Sequence, residues 1–143
     1  GIPGHYGSIA NIRDLAPTVA GLVAGPYVGV AVGLIGAIHR LSLGGDSALA
    51  CCLATVLAGL IAGLVYRYNN GTLIGIIPAM VFAVGIELLH ASLALALINP
   101  FTEAVDIVVT DIPAMIIANS LGLAISVIVI HNTKELCRQD ASE

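Results

Sequence analysis

Residues 47–66 read SALACCLATVLAGLIAGLVY, a run of apolar and small residues that contains no charged side chain. A helix of about 20 apolar residues has the length needed to cross the hydrocarbon core of a bilayer. The chain becomes polar directly afterwards, at residues 67–71 (RYNNG). This stretch therefore predicts a membrane-spanning helix, and its neighbours decide whether the protein crosses the membrane more than once.

Four further apolar stretches flank this run, and each is bounded by Gly, Pro, Asn or charged residues: Ile12–Ala24, Tyr27–Leu41, Thr72–Ile98 and Ala104–Ile130. The last two are long enough to span, whereas the first two have about 13 and 15 residues, a length more typical of buried or re-entrant helices. We therefore predict an all-α polytopic membrane protein with about five hydrophobic helices. The first two are short and Gly-rich, either as two buried helices or as a pair broken at Gly25-Pro26, and whether they span stays open.

The amino-acid composition supports a membrane protein and argues against a soluble domain or a nucleic-acid-binding protein. Of 143 residues, 58% are hydrophobic and 10% are charged, while a soluble domain usually carries about 25% charge. The net charge of −4 and the lack of a basic cluster exclude nucleic acid as an expected partner. No nucleophile–base pair, phosphate loop or nucleotide fingerprint occurs, so we expect neither an enzyme nor a cofactor in this chain.

Glycines recur at intervals of four residues in two of the apolar regions: Gly21, Gly25, Gly29 and Gly33, then Gly59 and Gly63. Such small-xxx-small rows let helix backbones approach closely inside a membrane. We interpret them as packing surfaces, with a backbone-lined ligand path as the alternative.

Polar residues that are distant in sequence fall at a similar depth in the predicted helices. An ionisable group at the bilayer centre costs about 2.5–3.5 kcal/mol on insertion scales, so it indicates a functional site by default. Arg13 and Arg40 form a candidate clamp for an anion, because a guanidinium pairs with a carboxylate through two hydrogen bonds. The alternative is that both snorkel to an interface. The polar residues expected to support the clamp are Asn11, Asp14, Glu87, His90, Asp111 and Asn119.

Glu87 and His90 lie three residues apart and face the same way on a helix. They predict an internal hydrogen-bonded pair that holds the stretch Thr72–Ile98 against the stretch Ala104–Ile130. Cys51, His90 and Asp111 could in principle supply metal ligands, but no two of them show a known ligand spacing, and we expect no metal.

The motifs Asn11-Ile12-Arg13-Asp14, GLVAGP at 21–26, HR at 39–40 and GG at 44–45 occur in one order. With this order the chain resembles the five-transmembrane sensor domain of LytS/YehU-type receptors (5TMR-LYT), the input domain of bacterial histidine kinases and some diguanylate cyclases. The resemblance covers nearly the whole chain. It implies a ligand-sensing domain, and characterised relatives sense extracellular pyruvate or respond to the state of the envelope.

The resemblance also implies a ligand-binding set. Arg13, Arg40 and Cys51 match the positions implicated in pyruvate binding, and Thr55 stands next to Ala54, where a hydroxyl is expected. Residues 1–130 would be the membrane sensor and residues 131–143 the start of a cytoplasmic signalling linker in a bacterial or archaeal inner membrane. By the same resemblance we expect a homodimer, a downstream GAF or kinase module, and a fragment that lacks earlier hydrophobic segments.

Two other functions remain open for this sequence. Short helices interrupted by Gly and Pro beside buried charge are also features of transporters, although no inverted repeat is visible here. A membrane assembly subunit that binds no ligand is the third interpretation.

Overall fold

The computed structural model describes residues 2–3, 9–10 and 12–143, and within these it contains five helices and one short strand pair. Strand β1 (Ile2–Pro3) pairs antiparallel with β2 (Ile9–Ala10). The helices are α1 (Leu15–Ala24), α2 (Pro26–Leu43), α3 (Ala48–Tyr68), α4 (Ile76–Leu97) and α5 (Phe101–Asp140). The predicted all-helical membrane class is confirmed, and the two-residue strands are an addition to it.

Helices α2, α3, α4 and α5 are each long and apolar enough to cross a membrane, as far as the described residues show. Helix α2 has 18 residues, more than the predicted stretch Tyr27–Leu41, because it begins at Pro26 and ends at Leu43. Arg40 lies in the last turn, where a cation interacts favourably with the helix dipole, and Gly44, with φ 69°, follows Leu43 as the C-cap. Helix α1, with 10 residues, is the short one.

The break expected at Gly25-Pro26 is confirmed. Gly25 has φ 94°, a conformation that glycine adopts without a Cβ clash, and Pro26 is the first residue of α2, where its missing N–H costs nothing. Helices α1 and α2 therefore fold back on each other as a hairpin.

The glycine rows are packing surfaces, as interpreted from their spacing. A Cβ on Gly29 would overlap the carbonyl oxygen of Gly59, and a Cβ on Gly63 would overlap the backbone of Pro26. The α1–α2 hairpin thus lies with its backbone directly against α3. This close approach fixes the relative positions of the three helix ends that carry Asp14, Arg40 and Cys51.

Large apolar side chains point outward on the helices, as lipid-facing residues do. They include Ile35, Ile38, Val81 and Val109, each at least two-thirds exposed. An exposed apolar surface of this extent marks an interaction with a membrane or a partner. The interior is filled mainly by alanines and a few larger residues, with Leu22 and Leu123 packed in one cluster.

Helix α5 runs through residue 130 without interruption and ends at Asp140. Every residue from 131 to 143 is exposed. The polar tail predicted as a separate linker is therefore a continuation of the last helix, and the domain boundary at residue 130 stays a prediction.

Candidate functional site

Ten polar residues are buried among the described part of the chain: Asp14, Thr18, Arg40, Ser47, Thr55, Glu87, His90, Asp111, Asn119 and Ser120. Most lie at one end of the bundle. Successive helices alternate in direction, so the start of α1, the end of α2 and the start of α3 meet there. The second half of α4 and the first half of α5 return to the same end. The predicted common depth follows from this topology.

Asp14, His90 and Cys51 form a row of polar contacts across three helices. Asp14 precedes α1 but makes no side-chain cap with it; its Oδ2 lies 3.2 Å from His90 Nδ1 instead. On the other side of the ring, His90 Nε2 lies 3.3 Å from Cys51 Sγ. The imidazole of α4 therefore connects the start of α1 to α3.

Thr55 fixes the second oxygen of Asp14. Its hydroxyl oxygen lies 2.5 Å from Asp14 Oδ1 and 2.8 Å from the carbonyl oxygen of Cys51, one turn earlier in α3. Its single hydrogen is donated along the shorter contact, to the carboxylate of Asp14. Thr55 is buried, so this contact holds the carboxylate in a defined orientation.

Glu87 is fully buried and is held from α5. Asn119 Nδ2 donates to Glu87 Oε1, and Glu87 Oε2 lies 3.7 Å from His90 Nδ1. The pair predicted between Glu87 and His90 is thus one side of a larger group, in which the hydrogen bond to the neighbouring helix comes from Asn119.

Arg40 has no exposed surface. Its guanidinium donates to the carbonyl oxygen of Gly44 and, at 2.9 Å, to Ser47 Oγ, while its Nε has no hydrogen-bond partner among the described residues. It also interacts with the thiol of Cys51. An arginine in this position is not snorkelling, and it retains a donor for a further acceptor.

Arg13 is half-buried and lies against α2. A Cβ on Gly36 would be 3.5 Å from Arg13 Cγ and 3.2 Å from the methyl group of Thr55. Burial, followed by the positive charge of Arg40, lowers the pKa of Arg13. The charges of Arg13 and Arg40 therefore act on each other across the junction of α1, α2 and α3.

Two small cavities border this cluster. One of about 20 Å³ is lined by Ser47, Cys51, His90 and Asp111 together with apolar residues of α4 and α5. The other, of about 10 Å³, lies beside Asp14 and the pair Glu87–Asn119. A cavity needs roughly 10–15 Å³ to hold a water molecule, so both are water-sized.

The structure brings together nine of the ten residues selected from the sequence: Arg13, Asp14, Arg40, Cys51, Thr55, Glu87, His90, Asp111 and Asn119. Asn11 lies outside the described residues. The sequence analysis did not select Ser47, which accepts a hydrogen bond from Arg40. The only sequence feature that could have indicated it is its position seven residues after Arg40, just beyond the Gly44-Gly45 turn. The neighbouring thiol, Cys52 Sγ, lies 3.2 Å from the carbonyl oxygen of Ala37.

The metal-ligand set considered from the sequence also differs from the group that the fold assembles. Asp14, Glu87 and His90 each offer a ligand atom, and these atoms lie within 4.8 Å of one another. Asp111 lies instead beside the larger cavity. Because Asp14 and Glu87 are far apart in sequence, no spacing motif could indicate this group.

Comparison with known proteins gives a consistent result. The family described as "5TMR of 5TMR-LYT" matches residues 1–133. The chain is 35% identical over 123 residues to the sensor histidine kinase BtsS of Escherichia coli strain K12, covering 82% of this chain and 22% of that protein. It is 39% identical over 128 residues to the sensor protein LytS of Bacillus subtilis, covering 87% and 21%.

A third relative is the sensor histidine kinase/phosphatase LytS of Staphylococcus aureus, 33% identical over 128 residues, covering 88% of this chain and 22% of the relative. The chain thus spans about a fifth of the length of these curated relatives. No solved structure matches it significantly.

Proposed function

This chain belongs to the 5TMR-LYT family, and from that premise we propose that it is the ligand-sensing membrane input domain of a two-component receptor. Its relatives carry the names of sensor histidine kinases and are several times longer. The chain matches only about a fifth of each of these relatives, so in this proposal kinase activity belongs to a downstream GAF and kinase module. The receptor is multi-pass in a bacterial inner membrane, with its C-terminus cytoplasmic, and acts as a homodimer.

The proposed ligand is a small extracellular carboxylate of the pyruvate type. The observation that carries this proposal is the convergence of Arg13 and Arg40, one half-buried and one fully buried, beside Cys51 and Thr55. Arg40 Nε has no partner among the described residues, so a carboxylate oxygen would satisfy it. Two guanidinium groups would also supply the charge and the paired donors that a planar carboxylate requires.

Binding requires the bundle to rearrange. The cavities at the cluster hold about 10 and 20 Å³, about one water each, whereas a keto acid has six non-hydrogen atoms. The ligand therefore favours a second packing in which the α1–α2 hairpin stands slightly further from α4 and α5. A difference in ligand affinity between two packings is what converts binding into a signal.

The test is a titration of the purified chain in detergent micelles with pyruvate, and with lactate and acetate for selectivity. We expect saturable pyruvate binding. A hydrogen bond to a charged group contributes about 1.5–3 kcal/mol, so Arg13→Ala and Arg40→Lys should each weaken binding at least about tenfold. Arg40→Lys keeps the charge and is chosen because the arginine is buried. The matched control is Arg67→Ala, which removes an exposed arginine that stacks on Tyr27 at the other end of α3.

Three results would contradict the proposal. Equal pyruvate affinity in wild type and both clamp variants would eliminate the clamp. Uptake of labelled pyruvate into proteoliposomes would favour a solute transporter over a sensor. A complete lack of saturable binding, in protein that remains helical by circular dichroism, would favour a structural membrane subunit.

A further inference from the structure

Three buried ligand-type atoms face one another, and none makes a hydrogen bond of normal geometry, although two of them form the 3.2 Å ion-pair contact between Asp14 and His90. They are Asp14 Oδ2, Glu87 Oε2 and His90 Nδ1, and they lie within 4.8 Å of one another. Each of the three side chains is at least nine-tenths buried. Buried polar groups are normally hydrogen-bonded, and an isolated exception needs a physical reason. Three such atoms that point at one place indicate a common binding partner for all three.

The remaining polar atom of each of these side chains is held by a neighbour on another helix: Thr55 holds Asp14 Oδ1, Asn119 holds Glu87 Oε1, and Cys51 holds His90 Nε2. The same arrangement is found around protein-bound metals, where outer groups orient the ligands and fix the histidine tautomer. In the tautomer that carries its hydrogen on Nε2, His90 donates to Cys51 Sγ, and the lone pair of Nδ1 can bind a cation.

We propose that Asp14, Glu87 and His90 bind a divalent transition-metal ion inside the helix bundle. His90 Nδ1 lies 3.2 Å from Asp14 Oδ2 and 3.7 Å from Glu87 Oε2. Two ligands at 2.0–2.1 Å from a zinc ion in tetrahedral geometry are separated by about 3.3 Å. Both distances from His90 Nδ1 are near this separation, and the two carboxylate oxygens lie within 4.8 Å of each other, so a small shift of one carboxylate would let all three atoms share one ion.

Charge also favours a cation at this point. Two carboxylates buried without a cation between them carry a large desolvation cost, and a divalent ion balances both. One imidazole and two carboxylates suit Zn²⁺, Mn²⁺ or Fe²⁺. The cavity of about 10 Å³ beside Asp14 and Glu87 has the size for a water as the fourth ligand.

The experiment uses the whole chain in detergent, treated with a chelator and then titrated with Co²⁺, with Zn²⁺ as competitor. We expect one Co²⁺ per chain, with the visible absorption of a four- or five-coordinate site, displaced by Zn²⁺. Glu87→Gln and His90→Gln should each weaken Co²⁺ binding by tenfold or more, and Asn119→Ala, which leaves the three ligands in place, by about tenfold.

The matched controls are Glu135→Gln and His39→Gln, which remove an exposed carboxylate and an exposed imidazole on α5 and α2. Their affinity for Co²⁺ should equal that of wild type. Failure of the wild-type chain to bind Co²⁺ or Zn²⁺ would overturn the inference and leave His90 as a proton-bearing partner of the carboxylates. Wild-type affinity in Glu87→Gln would also overturn it. Because this titration contains no carboxylate ligand, its result is independent of pyruvate binding.

Discussion

Replacing Gly59 by alanine tests how the backbone contact between α2 and α3 supports the site. A Cβ at this position would overlap the carbonyl oxygen of Gly29 and approach Pro17 Cβ to 3.1 Å. Neither the α2 backbone nor the proline ring can adopt another rotamer to avoid the overlap, as a flexible side chain can. The α1–α2 hairpin must therefore move away from α3 by about 1 Å, since non-bonded atoms keep about 3.5 Å.

The cost follows from two opposing terms. Extra atoms forced into a packed interior cost about 1–3 kcal/mol, while Gly→Ala within a helix gains up to about 1 kcal/mol in intrinsic propensity. Gly85 lies on α4, is exposed, and has nothing within 4 Å of where a Cβ would stand. Gly85→Ala therefore has the gain in helix propensity without the packing cost. The difference in free energy of unfolding between the two variants then gives the packing cost at Gly59.

We expect Gly59→Ala to have a free energy of unfolding about 1–3 kcal/mol below that of Gly85→Ala. Reversible unfolding in mixed micelles with increasing SDS, followed by circular dichroism, measures this difference. Since α2 carries Arg40, Gly59→Ala should also bind pyruvate more weakly than Gly85→Ala. Equal unfolding curves for the two variants would refute the close backbone contact between α2 and α3. They would also refute the inference that this contact positions the helix ends that carry Asp14, Arg40 and Cys51.

Two further predictions concern the buried cluster. Asn119→Ala should lower the free energy of unfolding by about 1–3 kcal/mol, because Glu87 Oε1 loses its donor in the bundle; the same SDS titration measures it, and wild-type stability would show that the carboxylate has another partner. In native micelles, a maleimide should modify the exposed Cys137 rapidly and the buried Cys51 and Cys52 slowly, as read by mass spectrometry. Rapid modification of all three thiols would contradict the burial of the α3 start.

Much of the fold could be predicted from local features of the sequence. The uncharged run that forms α3 and the Gly25-Pro26 break depend on residues adjacent in the chain, so spacing alone identifies them. The length of α2 could not be read in this way. The predicted stretch ended at Leu41, whereas the helix ends at Leu43, and the charge of Arg40 is accommodated in its last turn by acceptors at Gly44 and Ser47.

The sequence predicted the depth at which the polar residues lie in the bundle, but not which side chains contact one another. Counting turns from each helix end placed the charged residues at one level, which the alternation of helix directions preserves. Which atoms meet depends on helix rotation and on the glycine contacts that set the distance between helices. The contact of Asp14 with His90, and the support of Glu87 by Asn119, join residues that no sequence spacing relates.

Helix α5 is the element that can carry a change at the cluster out of the membrane. It has 40 residues, which at 1.5 Å per residue is about 60 Å, twice the hydrocarbon thickness of a bilayer. Asn119 contacts the cluster from this helix, and Asp140 ends it about 30 Å further along. Residues 131–143 are exposed, and His131 Nε2 at their start lies 3.4 Å from the carbonyl oxygen of Ile74. In the proposed sensor, a ligand that moves Glu87 acts on Asn119 directly, and a continuous helix transmits that movement to the end of the chain.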